Sequence, residues 1–240
     1  MVYTKNLLFI ILVVFLFIYF IINKNKLEYF NNFKSYNVLY INLDKRTDRK
    51  KELLSQFKKF KNKNIKINIE RISAVKHKKG QIGCAKSHIK CLKNAKKRNL
   101  KEVIICEDDI NIKSNLINKY FEIINKLNDW DVIILSGHGD KKNINNFISK
   151  ALGIQTTGLY LVKNHYYDKL INNFEESVIE MEKRYKINKD IMCPKWCIDI
   201  NWKKLQKIDN WYVFNKNLGY QRPDFSDIEK KKINYNKFLN

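Results

Sequence analysis

The stretch that most constrains this chain is Val103-Ile104-Ile105-Cys106-Glu107-Asp108-Asp109. Four apolar, mostly β-branched residues without a polar interruption predict a strand covered on both faces, as in the parallel sheets of α/β proteins. Three carboxylates follow at once. Like charges packed at a strand end disfavour one another's ionised forms unless a cation neutralises them, and a hard divalent ion is the simplest neutraliser. Ligands of open α/β sheets also bind at the carboxyl ends of strands, where these acids would sit. On spacing alone, a solvated acidic turn leading into the next helix, with Asp109 or Asn111 near its N-terminus, accounts for the same residues.

The first residues point elsewhere. Leu7 to Ile22 is a run of sixteen apolar residues with Lys5 before it and Lys24 and Lys26 behind. That is short of the ~20 residues of a full span, but flanking lysines can snorkel. No small-residue cleavage site follows, so an uncleaved anchor over 7–22 is expected, after a short tail over 1–6 and before a stem over 23–36. The side of the membrane is not legible. What remains is enough for one α/β domain, set at residues 37–229 and followed by a basic tail over 230–240.

A net charge of +23 would ordinarily raise nucleic acid as a partner. Here lysines are scattered through every segment, and no arginine-rich arm or nucleic-acid motif occurs, so no nucleic acid is expected. An anionic ligand such as a nucleotide diphosphate suits the same field. Of five cysteines, Cys84 and Cys91 fall on one helix face and Cys106 inside the strand, all three read as small buried hydrophobes. Cys193 and Cys197 lack the spacing of a structural zinc site, and a disulfide between them stays open.

Two further segments carry chemistry. Val38 to Leu43 predicts a second buried strand, closed by Asp44-Lys45-Arg46-Thr47-Asp48-Arg49 ahead of a helix lined by Leu53, Leu54 and Phe57. A strand, an arginine-bearing loop and a helix start can hold a phosphate, although such arginines are usually solvated pairs. Ile65 to Ile72 alternates as a half-wet strand. After Gly80-Gln81-Ile82-Gly83, a helix carries Cys84, Ser87, His88, Cys91, Leu92 and Ala95, which turns His88 inward. Asp131 to Ser136 and Thr156 to Val162 predict two more strands, and His165 to Phe174 a helix.

Three blocks, Asn42 to Arg49, Gly83 to His88 and Cys106 to Asp109, stand in this order and resemble the successive motifs of glycosyltransferase family 25. Cys197 to Trp202 resembles the family's second acidic block, and Gly219 to Glu229 the closing block of its viral-type members. The resemblance implies an α/β fold of GT-A type: a Rossmann-like sandwich with a mostly parallel central sheet, here behind one transmembrane helix. It implies an inverting transfer of a hexose, galactose or glucose, from a UDP-sugar to a hydroxyl of a glycan or protein, as in lipopolysaccharide (LPS) biosynthesis. Glu107 and Asp109 then stand as ligands of Mn²⁺ or Mg²⁺, whose hard character suits carboxylate and phosphate oxygens. Asp108 is expected on the ribose or a metal-bound water. Asn42, Asp44, Arg46 and Arg49 would hold the donor nucleotide, and Gly83, Ser87 and His88 would line its pocket. Asp199 is the expected catalytic base, with Asp227 as a lesser candidate. A metal-dependent phosphoesterase would need more converging acids and histidines, and a non-catalytic basic protein binding sugar or nucleic acid would not need the intact acids.

Overall fold

The computed structural model describes residues 13–24, 34–58, 60, 62, 65–188, 194–228 and 231–234. The chain divides into two compact units, one of Met1–Ser35 with Asn62–Ile67, the other of Tyr36–Lys61 with Asn68–Asn240. In the first unit, residues 13–24 form helix α1 with its apolar side chains, Phe15, Phe17 and Phe20 among them, exposed. Residues 7–12 of the expected anchor lie outside the described residues. No helix among the described residues is long and apolar enough to cross a membrane.

A six-stranded sheet organises the second unit, which holds all of the sheet's residues except Lys34–Ser35 and Ile65–Ile67. Its strands are β1 (Lys34–Asn42), β2 (Ile65–Ser73), β3 (Glu102–Glu107), β5 (Val132–Asn143), β6 (Ile148–Lys163) and β7 (Trp211–Phe214), in the order β2-β1-β3-β6-β5-β7. β1 pairs parallel with β3, and β5 with β7, while β6 runs antiparallel to β3, β5 and β7. Thus β1, β3, β5 and β7 point one way and β6 opposes them. The sheet is mixed, with parallel direction predominating.

The pleat sends alternate side chains to opposite faces. Leu39, Ile41, Val103, Ile105, Val132, Ile134, Tyr160 and Val162 enter one core with Ile82, Ala85 and Leu92 of α3 (Gly80–Lys97) and Leu170, Phe174 and Met181 of α5 (Tyr167–Ile187). Val38, Tyr40, Ile104, Ile133 and Leu161 are buried on the other face. There Tyr36 of β1 stacks on Phe121 of α4 (Ser114–Lys126), 4.1 Å between ring centroids. The first helix of this unit, α2 (Thr47–Lys58), buries Arg49 and Leu53. Both faces covered is what the uninterrupted run Val103–Cys106 requires.

Three expected elements differ in extent. β5 and β6 run well past their apolar stretches as a long antiparallel pair, because backbone pairing continues after burial ends. α5 extends to Ile187 because Ser177, Val178 and Met181 keep its inner stripe buried. After the acids the chain enters not a helix but a short strand, β4 (Ile110–Ile112), which pairs antiparallel with β8 (Gly219–Gln221). Ile110 is fully buried and sits so close to Gly158 that a Cβ there would lie 2.6 Å from its Cδ1. Beyond β8, β9 (Asp224–Ser226) pairs with β10 (Lys231–Ile233), inside the expected basic tail.

Candidate active site

The carboxyl end of β3 lies between α3 on one face and α2 on the other, and the pleat deals its acids to both. Glu107 follows the face of Val103 and Ile105, where its Oε1 lies 3.3 Å from His88 Nε2 and accepts from Thr157 Oγ1 at 2.9 Å. The Gln221 amide approaches its other oxygen at 3.4 Å. Burial pushes the Glu107 carboxyl up, but the His88 ring and the Thr157 hydroxyl hold it below the usual carboxylate range. Asp108 turns the other way and is buried, accepting from Asn42 Nδ2 at 2.7 Å and Arg49 Nη1 at 3.1 Å. Burial nonetheless raises its pKa.

Asp109 is the acid left with capacity. Its Oδ2 takes a 3.3 Å contact from Arg49, while Oδ1 is buried without a hydrogen-bond partner. Burial first, then the neighbouring Glu107 charge, push its pKa up to about 7 despite Arg49 and the nearby Gln221 amide. A buried carboxylate oxygen with no partner is costly unless a cation or proton supplies one. Hard oxygen donors suit Mg²⁺ or Mn²⁺, and Asp109 with Glu107 could hold such an ion.

The arginine loop joins this acidic end. Arg49, on the first turn of α2, is buried and its guanidinium reaches Asp108, Asp109, Asp224 Oδ2 at 2.8 Å and the Phe225 carbonyl at 2.9 Å. Arg46 donates to Asp48, Asp224 and Asp227. Asp224, opposed by its own partial burial, is held down at about 2 by Arg46 and Arg49. β9 therefore lies across both arginines. Arg222 reinforces the closure by donating to the carbonyls of Asp109 and Asp108 and pairing with Glu52.

A second carboxylate approaches from the far side of Glu107. Asp199, in the first turn of α6 (Ile198–Asn201), accepts from the Thr156 amide at 3.2 Å. Burial raises its pKa, the Thr156 amide opposes that, and the Glu107 charge adds to it. Thr156 has φ of +88°, a left-handed conformation that a β-branched residue seldom adopts. The twist aims the Thr156 N–H at Asp199 and the Thr157 hydroxyl at Glu107, so one strained dipeptide of β6 positions both acids.

The residues singled out in the sequence thus divide. Asp108, Asp109, Asn42, Arg46 and Arg49 form one hydrogen-bonded cluster, which the Gln221 amide joins to Glu107 and so to His88. Asp44 is bound away from it by Arg71 and Ser73, although Arg71 also donates to Asn42 Oδ1 at 2.9 Å. Asp227 is ion-paired with Lys45 at 2.7 Å and Arg46 at 2.9 Å, and although partial burial pushes its pKa up, these two cations hold it below the usual carboxylate range. Ser87 is saturated, donating to the Gly83 carbonyl and accepting from the Val75 amide, so it fastens the loop before α3. Gly83 permits that fastening: a Cβ would sit 2.6 Å from the Val75 carbonyl. Cys84 is half-buried and packs against the core, and Cys193 lies outside the described residues. Trp202 and Trp211 are core residues packed edge to face, their indole N–H groups on the Ile154 carbonyl and the Tyr166 hydroxyl.

Sequence reasoning passed over Asp224, Gln221, Arg222, Thr157 and Arg71. The signal for Asp224 was partial: two loop arginines ahead of a buried helix face need carboxylates, and of the nearby Asp44 and Asp48 neither pairs with Arg49.

Residues 76–188 match the model of a family described as glycosyltransferase family 25, LPS biosynthesis protein. No curated protein matches the chain. Among solved structures the chain is similar to the glycosyltransferase GlyE of Streptococcus pneumoniae TIGR4, at 9% identity and a TM-score of 0.45 over 76% of this chain and 46% of that one. It thus spans less than half of GlyE. It is also similar to a glycosyltransferase involved in glycosylation of the major capsid of PBCV-1, at 11% identity and a TM-score of 0.39, over 76% of this chain and 93% of that one. A third is mouse xyloside xylosyltransferase 1, at 11% identity and 0.37, over 75% and 71%. The segment similar to glycosyltransferase family 25 is thus residues 76–188, which hold α3 and the three acids at the end of β3.

Proposed function

We propose that this chain is a metal-dependent glycosyltransferase of GT-A type, with its catalytic domain over residues 37–229. It moves a hexose, galactose or glucose, from a UDP-sugar to a hydroxyl of a glycan or protein with inversion. The observation that carries this reading is the single cluster in which Arg49 bridges Asp108, Asp109 and Asp224 while Asp109 keeps a buried oxygen unpartnered. Mn²⁺ or Mg²⁺ held by Asp109 and Glu107 would supply Lewis-acid neutralisation of the departing diphosphate. Arg49 and Arg46 bear on the nucleotide side, and Asn42 orients Asp108 toward it. His88 and Thr157 keep Glu107 ionised and fixed in rotamer.

Asp199 takes the proton of the acceptor hydroxyl. Burial and the Glu107 charge raise its basicity above that of a solvated Asp, toward the working range of a general base. The acceptor oxygen then bonds to the anomeric carbon as the bond to UDP breaks. The apolar run 7–22 is proposed to anchor the enzyme on a membrane, consistent with the exposed aromatic side chains of α1.

The test is thermal. Mn²⁺ with UDP is expected to raise the melting temperature more than either alone, as ligands that bind only the folded state do. Asp109→Asn is expected to remove that gain while the variant remains folded. A full gain in Asp109→Asn, or none in the parent chain, would overturn the reading.

A further inference from the structure

Cys84 and His88 stand one helical turn apart on α3 and so project from the same face of that helix, a spacing of four that lets two side chains share one ion. That face meets the end of β3. Cys84 Sγ, a His88 ring nitrogen and a Glu107 carboxylate oxygen lie within 4.8 Å of one another, the one such group of three metal-capable side chains among the described residues. A sulfur, an imidazole and a carboxylate oxygen at that separation need move by only about 1 Å to reach the bond lengths of a tetrahedral zinc ion, ~2.0 to 2.3 Å from each ligand.

The remaining features suit such an ion. His88 Nε2 is the nitrogen facing Glu107, at 3.3 Å, while Nδ1 lies 3.1 Å from the Tyr160 hydroxyl. An ion at Nε2 would replace the proton that this nitrogen shares with Glu107, leaving the ring proton on Nδ1 to be donated to the Tyr160 hydroxyl, the arrangement usual for ligating histidines. Glu107 is held by Thr157 from the far side. Cys84 and Glu107 are each only partly buried, and water or a further side chain would complete the coordination of an ion. The transferase chemistry needs no thiol, and a hard cation at Asp109 has no use for one.

We propose that Cys84, His88 and Glu107 form a three-ligand site for a thiophilic divalent cation of the zinc class, separate in its chemistry from the hard-cation position at Asp109. Binding exchanges the Cys84 thiol proton, released to solvent, for a sulfur–metal bond, with no change of oxidation state. Because Glu107 would serve both positions, occupation by zinc draws it away from the Asp109 side. The site itself does not depend on the transferase reading.

Cobalt(II) reports the site directly. The full chain, stripped with chelator under reducing conditions and titrated with Co²⁺, is expected to take up one ion per chain with a thiolate-to-cobalt charge-transfer band in the near ultraviolet and the visible bands of a tetrahedral ion. One equivalent of Zn²⁺ should bleach both. Cys84→Ser is expected to abolish the charge-transfer band, and Cys84→Ala, which leaves no polar group against the core, should do the same. Cys197→Ser should retain it. Far-ultraviolet circular dichroism establishes that each variant is folded. Absence of the band in the parent chain, or its persistence in both Cys84 variants, overturns the proposal. Either result leaves the Mn²⁺ and UDP thermal shift to stand or fall separately.

Discussion

At the scale of single residues, the site is governed by how each buried charge is answered. Arg49 has the least freedom, because its guanidinium serves Asp108, Asp109, Asp224 and a backbone carbonyl at once with only 9% of the side chain exposed. Arg49→Ala would strand buried carboxylates without their partner, and a loss of about 3 to 5 kcal/mol is expected in denaturant unfolding. Arg49→Lys should recover little of it, since a point charge cannot reproduce the fork. Asp224 yields a pH prediction. Its folded pKa, about 2, lies below its ordinary value of 3.8, so the stability it adds is present above pH ~4 and is lost as the pH falls through about 2. With a third of the side chain exposed, solvent screening reduces the gain to about 1 kcal/mol. Asp224→Asn should therefore melt below the parent chain at neutral pH, and the two curves should converge near pH 2. A gap that stays constant with pH would exclude Asp224 as the anchor of these arginines.

At the scale of elements, the acids are placed by pleat and by strain, and these differ in how legible they are. An apolar run ended by Glu107 is visible in the sequence, and the period of two already separates Glu107 from Asp108. What period cannot show is that His88 and Arg49, on helices joined to other strands, come to answer these acids, His88 meeting Glu107 and Arg49 meeting Asp108 and Asp109. The trio was therefore expected to share a cation, whereas the fold supplies protein partners to two of its members and leaves an oxygen of Asp109 over. Nothing in Gln155-Thr156-Thr157-Gly158 announces a left-handed residue either, because threonine disfavours it. β6 holds Thr156 there through register shifts against β5 between Ile134 and His138. Thr156→Gly should relieve this strain and raise stability by about 1 kcal/mol. Because the amide to Asp199 is retained, the Mn²⁺ and UDP thermal shift should survive. A destabilised Thr156→Gly would mean that the Thr156 side chain, 3.4 Å from His138 Nδ1, contributes more than its backbone costs.

At the scale of the whole molecule, the site is closed by a segment more than a hundred residues beyond the acids. Residues 219–229 resembled a closing block in the sequence, and Asp227 was the acid singled out there. Its true work is shared: β8 pairs with β4, Arg222 caps the carbonyls of Asp108 and Asp109, and Asp224 engages Arg46 and Arg49. Such pairings across sequence distance leave no local periodic trace, which is why Asp224 and Arg222 went unread while β1, β3 and α3 did not. The consequence reaches past the family-matched segment, because residues 76–188 contain Glu107, Asp108 and Asp109 but neither the arginines nor the strands that cover them. A chain ending at Leu218 keeps all three acids and Asp199, yet exposes Ile110 and leaves Arg49 without Asp224. Its melting temperature should fall by more than ~5 °C, since several kcal/mol of closure are lost. The further rise with Mn²⁺ and UDP should vanish with it. If the shortened chain kept that rise, β8 and β9 would be packing alone, and the nucleotide site would have to be rebuilt from the acids and the first loop without them.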